Sequence, residues 1–120
     1  MISNRLIADK GYICSIDVLC ELKILSETQV KDWRFGKTPY LEKSCSKNLG
    51  ALTFINSTIK EFANDKNLKH SWTAYNKYGK GVKSRLVFSK TKIEKIENAY
   101  ATHYLDTERI KALKRERASL

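Results

Sequence analysis

Proline occurs once, at Pro39, and the five glycines are scattered. No Pro/Gly-rich linker or low-complexity tract divides the chain, and no internal repeat is visible. Paired cysteines are missing too. Cys14, Cys20 and Cys45 form no C-x-x-C pair, their number is odd, and His70 and His103 lie far from them in sequence. Neither a zinc-ligand spacing nor a disulfide framework follows, so no metal and no cofactor is expected. Cys14 and Cys20 flank an apolar segment and read as buried, reduced thiols. No long apolar segment offers a membrane anchor, and the N-terminal MISNRLIADKGYIC lacks the sustained apolar core of a signal peptide. The expectation is a cytoplasmic protein with no membrane partner.

Catalytic signatures are equally scarce. No G-x-S-x-G, Walker loop or H-E-x-x-H is present. GKGVKS at residues 79–84 looks superficially like a phosphate loop, but it lacks the G-x-x-x-x-G-K-[ST] spacing and joins two strand-like segments. His103 lies near Glu94 and Glu97 in helical spacing. A metal site built there would need further ligands; a histidine packed between Tyr100 and Tyr104 is the simpler reading. The chain is expected not to be an enzyme.

The scarcity that says most is of negative charge. Thirteen Asp and Glu stand against 23 Lys and Arg, a formal charge of +10 with a pI near 9.6. Residues 1–60 carry a net +3 and residues 61–120 a net +7. KNLKHSWTAYNKYGKGVKSRLVFSKTKI, residues 66–93, holds eight cations and no carboxylate, with Trp72, Tyr75, Tyr78 and Phe88 spread between them. Such a balance concerns partners, and it selects polyanions, nucleic acid first.

What is present suits one domain over residues 1–120. An ordered core is expected over about 12–105, with residues 106–120 a basic C-terminal helix or tail. Ser15 caps a short helix in SIDVLCELKIL. Ser26 and Gln29 form a capping box opening a second, in which Val30 and Trp33 face inward and Gly36 is the stop. Thr38-Pro39 restarts the chain. Leu49, Leu52, Ile55, Ile59 and Phe62 then mark a long central helix, the strongest periodic signal present. Period-two alternation on both sides of Gly79-Lys80-Gly81 predicts a β-hairpin. Its register turns Trp72, Leu86 and Phe88 inward and Tyr75, Lys77, Lys83 and Arg85 outward. Thr91 and Glu94 form a further capping box, and Ile93, Ile96, Tyr100 and Tyr104 stripe the helix after it. The fold class is α+β, mainly α: a bundle of four to five helices with one antiparallel β-hairpin, compatible with a winged-helix-like arrangement.

The run LKILSETQVKDWRFGKTPYL, residues 22–41, resembles the helix-turn-helix of excisionase-type and MerR-type DNA-binding domains. Ile24-Leu25-Ser26 stands at the turn, Val30 and Trp33 at the inward positions and Gly36-Lys37-Thr38-Pro39 at the exit. The resemblance implies DNA binding with Thr28, Lys31, Asp32 and Arg34 facing the groove. Two ordinary packed helices with a good cap would look the same. More widely, D-W-R-x-G-x-x-P-Y-L-E at 32–42, the basic hairpin and AYATHY at 99–104 resemble a group of small uncharacterised bacterial proteins, which implies no activity.

The functional expectation is therefore a small, non-enzymatic nucleic-acid-binding protein, with DNA ahead of RNA. Thr28, Lys31, Arg34, Tyr75, Lys77, Tyr78, Lys80, Lys83 and Arg85 are the contact candidates: cations to meet phosphates, tyrosines to stack or lie against sugar. A homodimer would suit a module that reads few base pairs. The competing expectation is a protein-interaction or assembly module that takes an acidic protein partner on the same basic hairpin. Lysines also guard exposed strand edges, although a merely solubilised surface mixes both signs. Arg109, Lys111, Lys114, Arg115 and Arg117 would form a second phosphate-contacting arm or a solvated helix face.

Overall fold

The computed structural model describes residues 2–79 and 84–118, apart from the side chain of Leu49. Lys80, Gly81, Val82 and Lys83, at the tip of the expected hairpin, lie outside the described residues, as does the contribution of Leu49 to the central stripe. The chain is α+β and mainly helical. In order it forms α1 (Ile2–Lys10), β1 (Tyr12–Cys14), α2 (Ser15–Glu21), α3 (Glu27–Arg34), a 3-10 turn (Leu41–Ser44), α4 (Leu49–Asp65), β2 (Lys69–Trp72), α5 (Glu94–Ala101), β3 (Thr102–Leu105) and α6 (Thr107–Ala118). Among the described residues no helix is long and apolar enough to cross a membrane.

The strands make one antiparallel sheet, β1-β3-β2, with β3 in the centre. Tyr104 faces Ile13 on one side and His70 on the other. This replaces the expected hairpin ladder. β2 pairs with β3, a segment whose sequence had been read as the end of a helix, because Thr102, His103 and Tyr104 are residues that suit a pleated surface. Residues 73–79 and 84–88 still approach each other antiparallel, but loosely. Asn76 and Arg85 form an isolated bridge, Lys77 N–H donates to Ser84 O at 2.8 Å and Leu86 N–H to Tyr75 O at 2.8 Å.

The expected register is also corrected. Trp72 is 51% exposed, whereas Tyr75 packs against the core. Trp72 and Thr73 are both exposed, so the strict alternation breaks between them; Tyr75 turns inward while Lys77 stays exposed. Leu86 and Phe88 do face inward.

The α2–α3 pair is built as the caps require, with one difference at each end. Cys14, not Ser15, is the N-cap of α2; Ser15 is buried inside the first turn and its hydroxyl donates to Asn56 Oδ1 at 2.6 Å, tying α2 to α4. α2 ends in a left-handed residue without glycine. Lys23 has φ +63°, its N–H donates to Cys20 O, and Ile24 N–H donates to Leu19 O, a complete Schellman closure. Ser26 and Gln29 form the expected capping box, and Gly36 at φ +77° closes α3 with N–H donation to Trp33 O.

Thr38-Pro39 does not start a helix. Leu41 and Glu42 give their N–H groups to Val87 O and Phe88 O, so this stretch pairs with the far arm of the basic segment. The long helix begins only after Asn48, whose Oδ1 accepts from Ala51 N–H. α4 then spans both halves of the core. Leu52 belongs to the cluster around Trp33, Ile59 and Ala63 to that around Leu6 and Ile13, and Ile55 touches both.

Two helices sit at the ends. α1 was not anticipated; it buries Leu6 and leaves Ile2 and Ile7 half-buried. Gly11, at φ +80°, lets Ile110 of α6 approach so closely that a Cβ there would lie 2.5 Å from its Cγ1. α5 starts at Ile93 without a side-chain cap, so the Thr91–Glu94 box does not form, and Ile93 is exposed. Thr91 instead meets the Ser89 hydroxyl. Tyr100 is buried from α5, while Tyr104 is buried from β3.

The register can be checked by denaturation. Tyr75→Ala should lose about 3 kcal/mol, the cost of removing a packed aromatic side chain. Trp72→Ala should lose about 1 kcal/mol, as for an exposed residue with one hydrogen bond. Urea midpoints in the reverse order would restore the strictly alternating hairpin.

Candidate functional site

The basic segment has almost no ladder of its own, so side chains hold it in place. Trp33, fully buried on α3, is the centre. Its indole Nε1–H donates to Val87 O at 2.9 Å, and its ring lies 4.9 Å from Phe88 and 5.6 Å from Tyr75. Phe88 stacks on Tyr100 at 5.0 Å, and Tyr75 meets Phe88 edge-on at 5.5 Å. Such pairs add about 0.5–1.5 kcal/mol each beyond area burial. The Tyr75 hydroxyl hydrogen-bonds His103 Nε2 at 3.2 Å, and His103 lies against Tyr12. His103 is thus a strand residue between Tyr75 and Tyr12, not a helical neighbour of Tyr100 and Tyr104.

A second anchor is Glu97, a buried carboxylate on α5. Its oxygens accept from Phe88 N–H at 2.8 Å, Ser89 N–H at 3.0 Å and the Ser89 hydroxyl at 3.0 Å. Among the described residues no cation pairs with it; two backbone N–H groups and the Ser89 hydroxyl satisfy it instead.

On this base the chain displays cations against aromatic faces. Arg34, the last residue of α3, holds its guanidinium 4.1 Å from the Tyr78 ring centre and 5.2 Å from that of Tyr75. Tyr78 N–H donates to Arg34 O at 2.7 Å, and Phe35 meets Tyr78 edge-on at 5.3 Å. Arg34 Nε is buried and makes no hydrogen bond among the described residues. The stem of Lys77 lies over Gly36, where a Cβ would come within 2.7 Å of Lys77 Cε. Arg85 stacks over the Trp72 indole at 4.9 Å, and that indole N–H donates to Asn98 Oδ1 at 3.1 Å. Cation–π contact restrains a guanidinium while leaving its edge donors available.

Among the candidates from sequence, Arg34, Tyr75 and Tyr78 come together with Lys77 beside them over Gly36, while Arg85 stands in a second cluster with Trp72. Tyr75 contributes from below, as a packed ring whose hydroxyl pKa burial pushes up. Thr28 and Lys31 are exposed on α3. Lys31 lines a depression that also holds Asp17, Glu21 and Glu27, so acidic neighbours surround it. Lys80 and Lys83 lie outside the described residues. Trp72 and Phe35 were missed as surface aromatics. Phe35 was detectable, since it stands two residues from Trp33 and a helix cannot turn both inward.

The pattern of ion pairs completes the electrostatics. Among the described residues the salt bridges are Arg5–Glu21, Lys10–Asp17, Arg109–Glu116 and Lys111–Glu108. All lie on α1, α2 and α6. Among the described residues no Lys or Arg between 22 and 105 takes part in one.

The cysteines are free thiols. Burial pushes Cys14 up to about 12 and Cys45 up to about 11, so both stay protonated and poorly nucleophilic at neutral pH. Among the described residues no group of three or more His, Cys, Asp or Glu side chains converges to hold a metal ion. Compared with protein-family models, with curated proteins and with solved structures, the chain has no significant match.

Glu97 sets the position of the site. Glu97→Gln turns one acceptor into a donor facing N–H groups and should lower stability by about 2–3 kcal/mol. Exposed Glu94→Gln should stay within about 0.5 kcal/mol of the parent. Equal urea midpoints for the two variants would show that Glu97 anchors nothing.

Proposed function

We propose that this chain is a small, non-enzymatic nucleic-acid-binding protein of the cytoplasm, with DNA as its ligand ahead of RNA. One observation carries the reading. Arg34 and Lys77 lie with Tyr78 and Phe35, and Arg85 lies on Trp72, and among the described residues no carboxylate pairs with these cations.

The mechanism follows from the parts. Guanidinium edges and the Lys77 ammonium neutralise phosphates and release condensed counterions. Tyr78, Trp72 and Phe35 offer flat apolar area to sugar and base. The resemblance of residues 22–41 to excisionase-type and MerR-type domains supports the same reading: α2 and α3 would form the helix pair, and Thr28, Lys31 and Arg34, spaced three apart on α3, share a stripe that ends at Tyr78. Lys80 and Lys83 would add further phosphate contacts. A homodimer would double the site read. A second reading is favoured by the exposure of Phe35, at 52%, and Trp72, at 51%. Aromatics beside arginines also make protein hot spots, which an acidic partner would fit.

The test is fluorescence anisotropy with random duplex DNA, single-stranded DNA and structured RNA, at about 50 and about 200 mM salt. Micromolar binding that weakens with salt is expected. Lys77→Ala and Arg85→Ala should each lower affinity about fivefold for every sequence and reduce the salt slope by about 1. Absence of binding to all three ligands at low salt would overturn the reading in favour of the acidic protein partner.

A further inference from the structure

Between α4, α5 and the sheet lies a groove of about 610 Å³, a size that suits a small organic ligand. α4 contributes Lys60 with the hydroxyls of Thr53 and Ser57, and α5 contributes Lys95 and Asn98. The floor is formed by Ile96, Tyr100 and Tyr104. No carboxylate lines it, and neither Lys60 nor Lys95 enters an ion pair among the described residues. Asn98 Oδ1 is already occupied by the Trp72 indole N–H, which leaves the amide nitrogen of Asn98 as a donor. The groove therefore combines two ammonium groups, uncommitted donors and an apolar floor. That is the chemistry of a nucleotide: a phosphate to neutralise, a flat ring to cover and polar ring edges to bond.

The groove does not end in isolation. Asn98 also lines an adjoining depression of about 360 Å³, where Arg85 and Lys92 stand with Glu94 and with Glu97, whose oxygens are taken up by Phe88 and Ser89. Trp72 bridges the two, bonded to Asn98 and stacked beneath Arg85. A free nucleotide would need only the first compartment; the continuation toward Arg85 suits a ligand with further phosphates. A duplex keeps its bases stacked inside and cannot deliver one to such a floor, whereas an unstacked strand can.

We propose that the α4–α5 groove seats one unstacked nucleotide of a single-stranded nucleic acid. Lys60 and Lys95 hold its phosphate, and the strand continues past Trp72 to Arg85. This rests on the reading that the chain binds nucleic acid.

The experiment titrates the full chain and its Lys60→Ala/Lys95→Ala variant with a labelled short oligothymidylate and with a duplex of the same length. Both lysines are exposed, so the variant keeps the core intact. The expected result is a loss of at least about tenfold for the single strand and less than about twofold for the duplex. Adenosine monophosphate and inorganic phosphate, added as competitors at millimolar concentration, should displace neither. Equal loss for both ligands, or no loss for the strand, overturns the groove assignment, as does stoichiometric micromolar binding of adenosine monophosphate in Arg85→Ala. A parent protein that binds duplex alone overturns the assignment and leaves the nucleic-acid reading standing. One that binds neither overturns both.

Discussion

Burial of Trp33 is the constraint on which the other features depend. Residues 73–92 carry no carboxylate, and their described residues make few backbone hydrogen bonds to one another, so left alone they would not hold a shape. The Trp33 ring supplies the surface they fold onto, and its indole N–H fixes Val87. Phe88 and Tyr75 then close around it, and Glu97 takes the N–H groups of Phe88 and Ser89. The order of cause runs from a capped short helix to one buried ring, then to a docked loop, and last to a charged face.

That order explains how a like-charged segment is tolerated. Eight cations without a carboxylate repel one another, and the repulsion is offset by apolar burial underneath. Arg34 and Arg85 lie on aromatic rings, while carboxylates of α2 and α6 pair with cations of α1 and α6. Counter-charge supplied by a partner would relieve the same repulsion, which is why the arrangement favours a polyanion.

How much of this was legible in sequence varied with the range of the forces involved. Some local rules held, where the deciding atoms are a few residues apart, although the Thr91–Glu94 box and the Ser15 cap did not form. The Ser26–Gln29 capping box, the Gly36 stop and the stripe of α4 all followed from spacing alone. The α2–α3 turn formed without glycine because Lys23 takes the left-handed position itself, at roughly 1 kcal/mol. Long-range pairing was not legible. THYL continues a helical pattern from EKIENAYA, and only the presence of β1 and β2 on either side makes it a central strand. The same pairing moved Trp72 outward and Tyr75 inward. α1 was hidden for a related reason: Leu6 and Ile7 look unremarkable until the fold brings Ile13, Ile59, Ala63 and Tyr104 against them. For the site, charge identified the segment but not its partners on other elements. Arg34 meets Tyr78 across more than forty residues, and Lys60 meets Lys95 only through the fold.

The central claim is that the two ring-stacked arginines, Arg34 on Tyr78 and Arg85 on Trp72, meet a polyanion while Trp33 stays buried. Titration of the isotope-labelled protein with a short oligonucleotide, followed by amide and indole nuclear magnetic resonance shifts, tests it most directly. The account predicts that the Trp72 indole signal and the amides of Arg34, Lys77, Tyr78 and Arg85 move together, with the Trp33 indole and the α1 and α6 amides unmoved. Shifts confined to α1 and α6, or none at a saturating concentration, would contradict it.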